Sequence, residues 1–237
     1  SKELLKAACC NLAESFETNP TVDVNFSDAL TGTKQIKMLG LTSPYILISE
    51  ENIPSVRGAS QAYGLSFTPG TWVESIQITK GAGSVVNGYE SSSGQINTEL
   101  IKPMKDIPFF LNAYGATDSR FELNAHFNKR VSDYWSTSLF VHGNTRVAKN
   151  DMNDDGFLDN PLGKQINLTN RWQYANPESG WVTFLNLRYM KDDKQSGEIH
   201  FDPDRDKLTT NYWGSEITTE RIDFTSKADV YVINTCS

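Results

Sequence analysis

This 237-residue sequence has no basic surplus: 22 Lys and Arg face 29 Asp and Glu, for a formal charge of −7. A nucleic-acid partner that needs a cationic face for its phosphates is therefore excluded. No apolar run approaches the ~20 residues of a membrane-crossing helix, and mean hydropathy is −0.45. A helical membrane protein is ruled out, but a β-barrel is not, because its strands need only ~9 to 11 residues with every second one apolar. Cysteine is confined to Cys9, Cys10 and Cys236, too few for a disulfide framework. The chain opens Ser1-Lys2-Glu3-Leu4, with neither Met nor an apolar signal region, as expected of a processed terminus or a cut.

Signatures of catalysis are also missing. His126, His142 and His200 lack the spacing of a metal site, and no Ser/His/Asp order, paired-carboxylate arrangement or zinc motif stands out. Gly81-x-Gly83 lacks the third Gly of a dinucleotide loop and the Lys-Ser/Thr of a P-loop. No enzyme is read here. With 38% apolar and 22% charged residues, the chain is nonetheless expected to fold.

Of its 26 aromatic residues, 7 precede Phe109 and 19 lie from there onward. The change of character falls near Pro103 to Pro108 and predicts two units, residues 1–105 and 106–237. In the second unit, Arg120 to Phe127 alternates strictly, with Phe121, Leu123, Ala125 and Phe127 opposing Arg120, Glu122, Asn124 and His126. That is a strand with one apolar and one polar face. Tyr134 to Asn144, Gln165 to Tyr174 and Trp181 to Tyr189 repeat the pattern, with Phe140 an exception on the polar side. Phe109 to Tyr114 and Arg221 to Val232 are weaker matches, so six strands are predicted.

Connection lengths segregate. Asn128 to Asp133 and Ala175 to Gly180 are short and fall on one side, whereas Gly143 to Lys164 and Met190 to Ser215 are long and fall on the other. Phe127, Tyr134, Trp135, Trp172, Tyr174 and Trp181 all flank the short turns. Alternating strands, short turns at one rim, long loops at the other and an aromatic belt are features of an outer-membrane barrel. Six strands close around nothing wide, and the edge left at Cys236-Ser237 predicts strands outside this sequence. The competing fold is a soluble antiparallel sandwich, whose strands also alternate.

The first unit reads as α+β. Lys2 to Phe16 predicts a helix ended by Pro20, and Thr21 to Phe26, Gln35 to Gly40, Tyr45 to Ser49 and Trp72 to Lys80 predict short strands among turns. The run Val73 to Tyr89, with Lys80, Gly81, Gly83 and Gly88, resembles the plug-domain signature of TonB-dependent outer-membrane receptors. Gly94-Gln95-Ile96-Asn97-Thr98 resembles the final plug strand, and Thr21 to Val24 and Gln35 to Leu41 the earlier ones. Met38 and Leu39 depart from the family, which commonly has Ile or Val before an Arg-Gly pair there. The match covers roughly residues 2 to 101, and Cys9-Cys10-Asn11-Leu12 is most similar to receptors of the Bacteroidetes type.

The resemblance implies a plug seated in a barrel of about 22 strands in a Gram-negative outer membrane. It implies lipid around the wall, a scarce nutrient such as a metal chelate, cobalamin or glycan as ligand, and a TonB-type energy-transducing partner. That partner would act through a box not contained in this chain. A polar wall of Arg120, Glu122, Asn124, Asn167, Arg171 and Arg188 suits a polar plug that must be remodelled. Arg57, Tyr63, Phe67 and Trp72 sit where the family's plug rises toward the outer pocket, either binding substrate or packing on the wall. Asp151, Asn153, Asp155 and Asp159 follow the spacing of a calcium loop, though Leu162 stands where its bidentate Glu belongs. Their segment resembles the calcium-ordering loop of the family's cobalamin receptor, and Asp202, Asp204 and Asp206 are positioned to complete such a site; the bland reading is a solvated acidic loop. Adjacent Cys9 and Cys10 diverge by ~100° on a helix, so small buried thiols compete with a thiophilic metal site. The functions that result are a TonB-dependent transporter, a secreted or surface-exposed binding module with a β-sandwich, or a metal-dependent surface enzyme.

Overall fold

A computed structural model of the chain describes residues 23–26, 34–42, 44–62 and 64–231. The expected helix, all three cysteines and Tyr63 lie outside those residues.

The first unit is built on a four-stranded sheet. β3 (Ile46–Glu50) and β4 (Ile53–Val56) form a hairpin; β5 (Val73–Lys80) and β6 (Gly94–Leu100) complete the order β4-β3-β6-β5. β3 and β6 run parallel, the other pairs antiparallel. β1 (Asp23–Phe26) and β2 (Lys34–Lys37) form a separate two-stranded sheet. The interior of the unit is small and aliphatic: Ile36, Met38, Ile46, Ile48, Val56, Leu65, Val73 and Ile96. β4 is absent from the sequence reading because Pro54 breaks the strand signal, yet Pro54 is tolerated at a sheet edge, where its missing N–H is not needed.

Gly81 and Gly88, at φ +93° and +67°, supply left-handed turns between β5 and β6. Gly83 works differently. A Cβ there would stand 2.7 Å from the Ser91 side chain, and its N–H donates to the Ser91 carbonyl at 2.8 Å.

The second unit is one antiparallel sheet of six strands in sequence order: β7 (Phe109–Gly115), β8 (Arg120–Arg130), β9 (Trp135–Arg146), β10 (Leu162–Asn176), β11 (Trp181–Gly197) and β12 (Gly214–Val230). All six expected strands are present. The last three are longer than their alternation suggested, which shortens the two long connections to residues 147–161 and 198–213. The second contains a four-residue helix, α1 (Pro203–Asp206).

The two faces of this sheet are inverted relative to a soluble protein. The side chains turned inward against the first unit are polar and buried: Glu122, Asn124, Ser138, His142, Asn167, Thr169, Arg171 and Arg188. The apolar ones point away and stay exposed, Leu123 by 50%, Leu139 by 43%, Leu187 by 55% and Phe224 by 70%. A soluble sandwich would bury such residues, each for about 1.5–3 kcal/mol. No second sheet covers them among the described residues, and the sandwich expectation is not met. Phe140, the exception in the alternation, is fully buried on the inward face, where it meets Trp72 and Leu100 of the first unit.

Candidate functional site

The site lies where the hairpin of β3 and β4 meets β10 and β11. Successive side chains of a regular strand point to opposite faces, so Glu50 and Glu51 cannot both reach one wall from an undistorted strand. The turn resolves this: Glu51 and Asn52 both take left-handed φ, +57° and +65°, a conformation costing a residue with a Cβ about 1–2 kcal/mol. A framework holds the strained turn, since the buried Asn97 side chain accepts from the Asn52 N–H at 2.8 Å and from Ser49 Oγ at 3.1 Å.

Glu51 Oε1 then accepts from Arg171 Nη2 at 2.8 Å and from the Leu100 N–H at 3.0 Å. Both members of this ion pair are buried, Arg171 completely. Arg188 Nη2 alone donates to both carboxylate oxygens of Glu50, at 2.9 and 3.0 Å, while Arg188 Nε donates to Thr169 Oγ1 at 3.1 Å. Arg221 donates to the Ser55 carbonyl at 3.2 Å and to Asp223 at 2.9 Å. Beside these contacts, a cavity of about 70 Å³ is lined by the hairpin and by Asn186, Arg188, Arg221 and Thr225.

Further contacts tie the first unit to the wall on either side of this cluster. Asn167 Nδ2 donates to the Phe67 carbonyl at 2.6 Å, Gln165 Nε2 to the Ser66 carbonyl at 3.3 Å, and Lys194 Nζ to Ser66 Oγ at 3.1 Å. Trp72, fully buried, packs on Phe140 with ring centroids 5.4 Å apart. Close to the chain crossing between the units, Asp106 stands 2.6 Å from His126 Nε2. In the crossing segment, burial alone would lower the Lys102 ammonium, but its hydrogen bond to Glu99 and the carboxylates of Glu74, Glu99 and Glu51 outweigh burial and raise its pKa. The seam is thus mostly polar, with one apolar pad.

Of the residues singled out as substrate contacts, Trp72 and Phe67 are packed away, Phe67 beneath the Arg221 guanidinium at 5.6 Å. Arg57 is exposed and paired with Glu90 at 2.8 Å. The acidic loop holds itself by its own backbone: Asp151 accepts from the Asp155 and Gly156 N–H groups, Asp155 from Phe157, and Asp159 from Met152, at 2.8 to 3.1 Å. Asn153 donates to Asp155. In the other loop Asp204 N–H donates to Asp202, and Asp206 is held by Arg205, which keeps its carboxyl below the usual carboxylate range. No group of three or more acidic, His or Cys side chains converges on one point among the described residues.

Arg171 and Arg188 were legible as polar wall residues. Their partners Glu50 and Glu51 were not, because Glu-Glu-Asn between two apolar runs reads as an ordinary polar turn.

Residues 1–95 match the family model described as the TonB-dependent Receptor Plug Domain. None of the curated proteins matches the sequence. Among solved structures, the ferric yersiniabactin uptake receptor FyuA from Yersinia pestis is similar at 12% identity and a TM-score of 0.69, covering 98% of this chain and 38% of that one. FpvA of P. aeruginosa, solved with heterologous pyoverdines, gives 15%, 0.69, 94% and 30%. The ferric-catecholate import receptor Fiu from E. coli K12 gives 15%, 0.62, 82% and 26%. The chain thus spans between about a quarter and two fifths of the length of these structures. Residues 1–95 are thus similar to the plug domain of the TonB-dependent receptors, and the antiparallel strands that follow share the fold of these solved structures.

Proposed function

We propose that this chain is the gate and the first wall strands of an outer-membrane receptor that imports a scarce nutrient, the plug closing the lumen until a TonB-type partner displaces it. The observation that carries this reading is the inverted sheet, with buried Asn167, Arg171 and Arg188 inside and exposed Leu123, Leu139 and Leu187 outside. Lipid is the solvent that suits such a face. From Trp181 to Tyr189 the outward face advances about 20 Å along the barrel axis, close to the ~25 Å apolar band of such proteins. Trp135, Trp172 and Tyr174 cluster at its lower rim, with centroids 5.1 to 6.2 Å apart. The siderophore and metal receptors among the structural neighbours favour a metal chelate over cobalamin or a glycan.

The seam supports gating. Ion pairs and side-chain to carbonyl bonds re-form with water at little net cost, whereas a large dry interface does not. In cell fractionation the full-length product is expected in the outer-membrane fraction, migrating faster unheated than boiled, and its deletion is expected to slow growth when one nutrient limits. A soluble, heat-indifferent product would overturn the reading.

A further inference from the structure

The wall carries three arginines around the hairpin tip, Arg171, Arg188 and Arg221, and one carboxylate of its own, Asp223. The plug supplies the two missing negative charges through Glu50 and Glu51. With the plug seated the cluster is neutral; with the hairpin withdrawn, the same patch of wall keeps a surplus of two positive charges. Arg171 opposes Asn186 and Arg188 opposes Thr169, so the two guanidinium groups are diagonal neighbours on one face, roughly 7 Å apart at their Cα atoms.

Arg171 has more to offer than Glu51 uses. Its Nε and Nη1 meet no acceptor on the protein although the side chain is fully buried, and neither Ser136 Oγ nor Gln173 Oε1 beside it has a partner. By register, Ser138 and Asn186 flank Arg171, and Ser136 and Gln173 occupy the next inward step. The guanidinium also lies over the Phe184 ring at 4.5 Å, which fixes its plane. Both two-point edges of the guanidinium include Nη2, which Glu51 holds; once Glu51 leaves, Nη2 together with the already unpartnered Nε or Nη1 can grip a planar oxyanion in two-point fashion.

Resting on the gating reading, we propose that Arg171 and Arg188 form a transit site for a carboxylate or phenolate group of the imported solute, and that Glu51 and Glu50 occupy that site while the plug is seated. The plug carboxylates are then surrogate ligands. A solute anion takes their place as the hairpin leaves, competing with water for the two guanidinium groups.

The test uses the full-length receptor in planar bilayers, with the plug released by urea and citrate added as the probe anion. Citrate is expected to block the open pore, and Arg171→Met with Arg188→Met is expected to raise the blocking concentration about tenfold or more, one charge-assisted fork being lost at each position. Equal block in both proteins, within twofold, would overturn the site alone. Should the double arginine variant fail to assemble, Glu50→Gln with Glu51→Gln keeps the arginines and is expected to retain the wild-type block; its loss would overturn the site. A receptor that never conducts on plug release would overturn the gating reading, and the transit site with it.

Discussion

Glu51 gives the sharpest handle on how the plug is held. Glu51→Ala leaves the fully buried Arg171 guanidinium without its counter-charge and the Leu100 N–H without its acceptor. Breaking one side of a buried pair costs about 3–5 kcal/mol. With a urea slope of about 1 to 1.5 kcal/mol/M for a unit of this size, the midpoint of plug release falls by about 2–5 M. The backbone supplies an internal control. Glu51 sits at φ +57°, where Ala is as strained as Glu but Gly is not, so Glu51→Gly is expected to release later than Glu51→Ala by about 1 kcal/mol. Adding Arg171→Met to Glu51→Ala removes the stranded charge and is expected to recover most of the loss. Protease cleavage of the plug across a urea series, in vesicles carrying the full-length receptor, reads all three. An unchanged midpoint for Glu51→Ala, or Gly no better than Ala, would refute the reasoning.

Other consequences follow from the same contacts. Trp72→Ala empties the apolar pad against Phe140 and Leu100, and plug release in the same urea series should come earlier by about 3–5 kcal/mol; no change would mean that the pad bears no load. Gly94→Ala brings a Cβ to 2.9 Å from the Thr79 carbonyl and 2.3 Å from Met38 Sδ. Only the thioether can yield, so a loss of about 1–3 kcal/mol and lower yield in the outer-membrane fraction are expected, against an unaffected yield if the sheet is looser. Asp206 is kept below the usual carboxylate range by Arg205, so its contribution to loop order is complete above the ordinary carboxyl pKa of about 3.9 and is lost only as pH falls through the depressed value. Amide exchange across residues 198–213, corrected for intrinsic rates, should stay slow from pH 8 to about 4; loosening between pH 5 and 6 would contradict the assignment.

The wall was legible because a strand's period of two is the simplest signal a sequence carries. Leu123 and Asn124 declare opposite faces without any knowledge of the fold, though alternation alone does not say which face meets water. Phe140 looked like a flaw in the pattern and is instead the point where the wall receives Trp72. The ion pairs were not legible, because Arg171 lies 120 positions from Glu51 and Arg188 138 from Glu50. The left-handed turn that aims both carboxylates at one wall has no Asn-Gly or Asp-Gly to announce it. The spacing of Asp151 to Asp159 suggested a cation; Asp151, Asp155 and Asp159 also accept from N–H groups of their own loop, a use that leaves the same mark in a sequence.

Depth in the membrane tests the account most directly. With single cysteines replacing Leu123, Leu139, Leu187 and Phe224, and in a second set Asn124, Thr169 and Asn186, a fluorophore is attached to the full-length receptor in vesicles of brominated lipid. Strong quenching for the first set and little for the second is the result predicted by an apolar face turned to lipid and a polar face turned to the plug. Equal and weak quenching at all seven positions would contradict it.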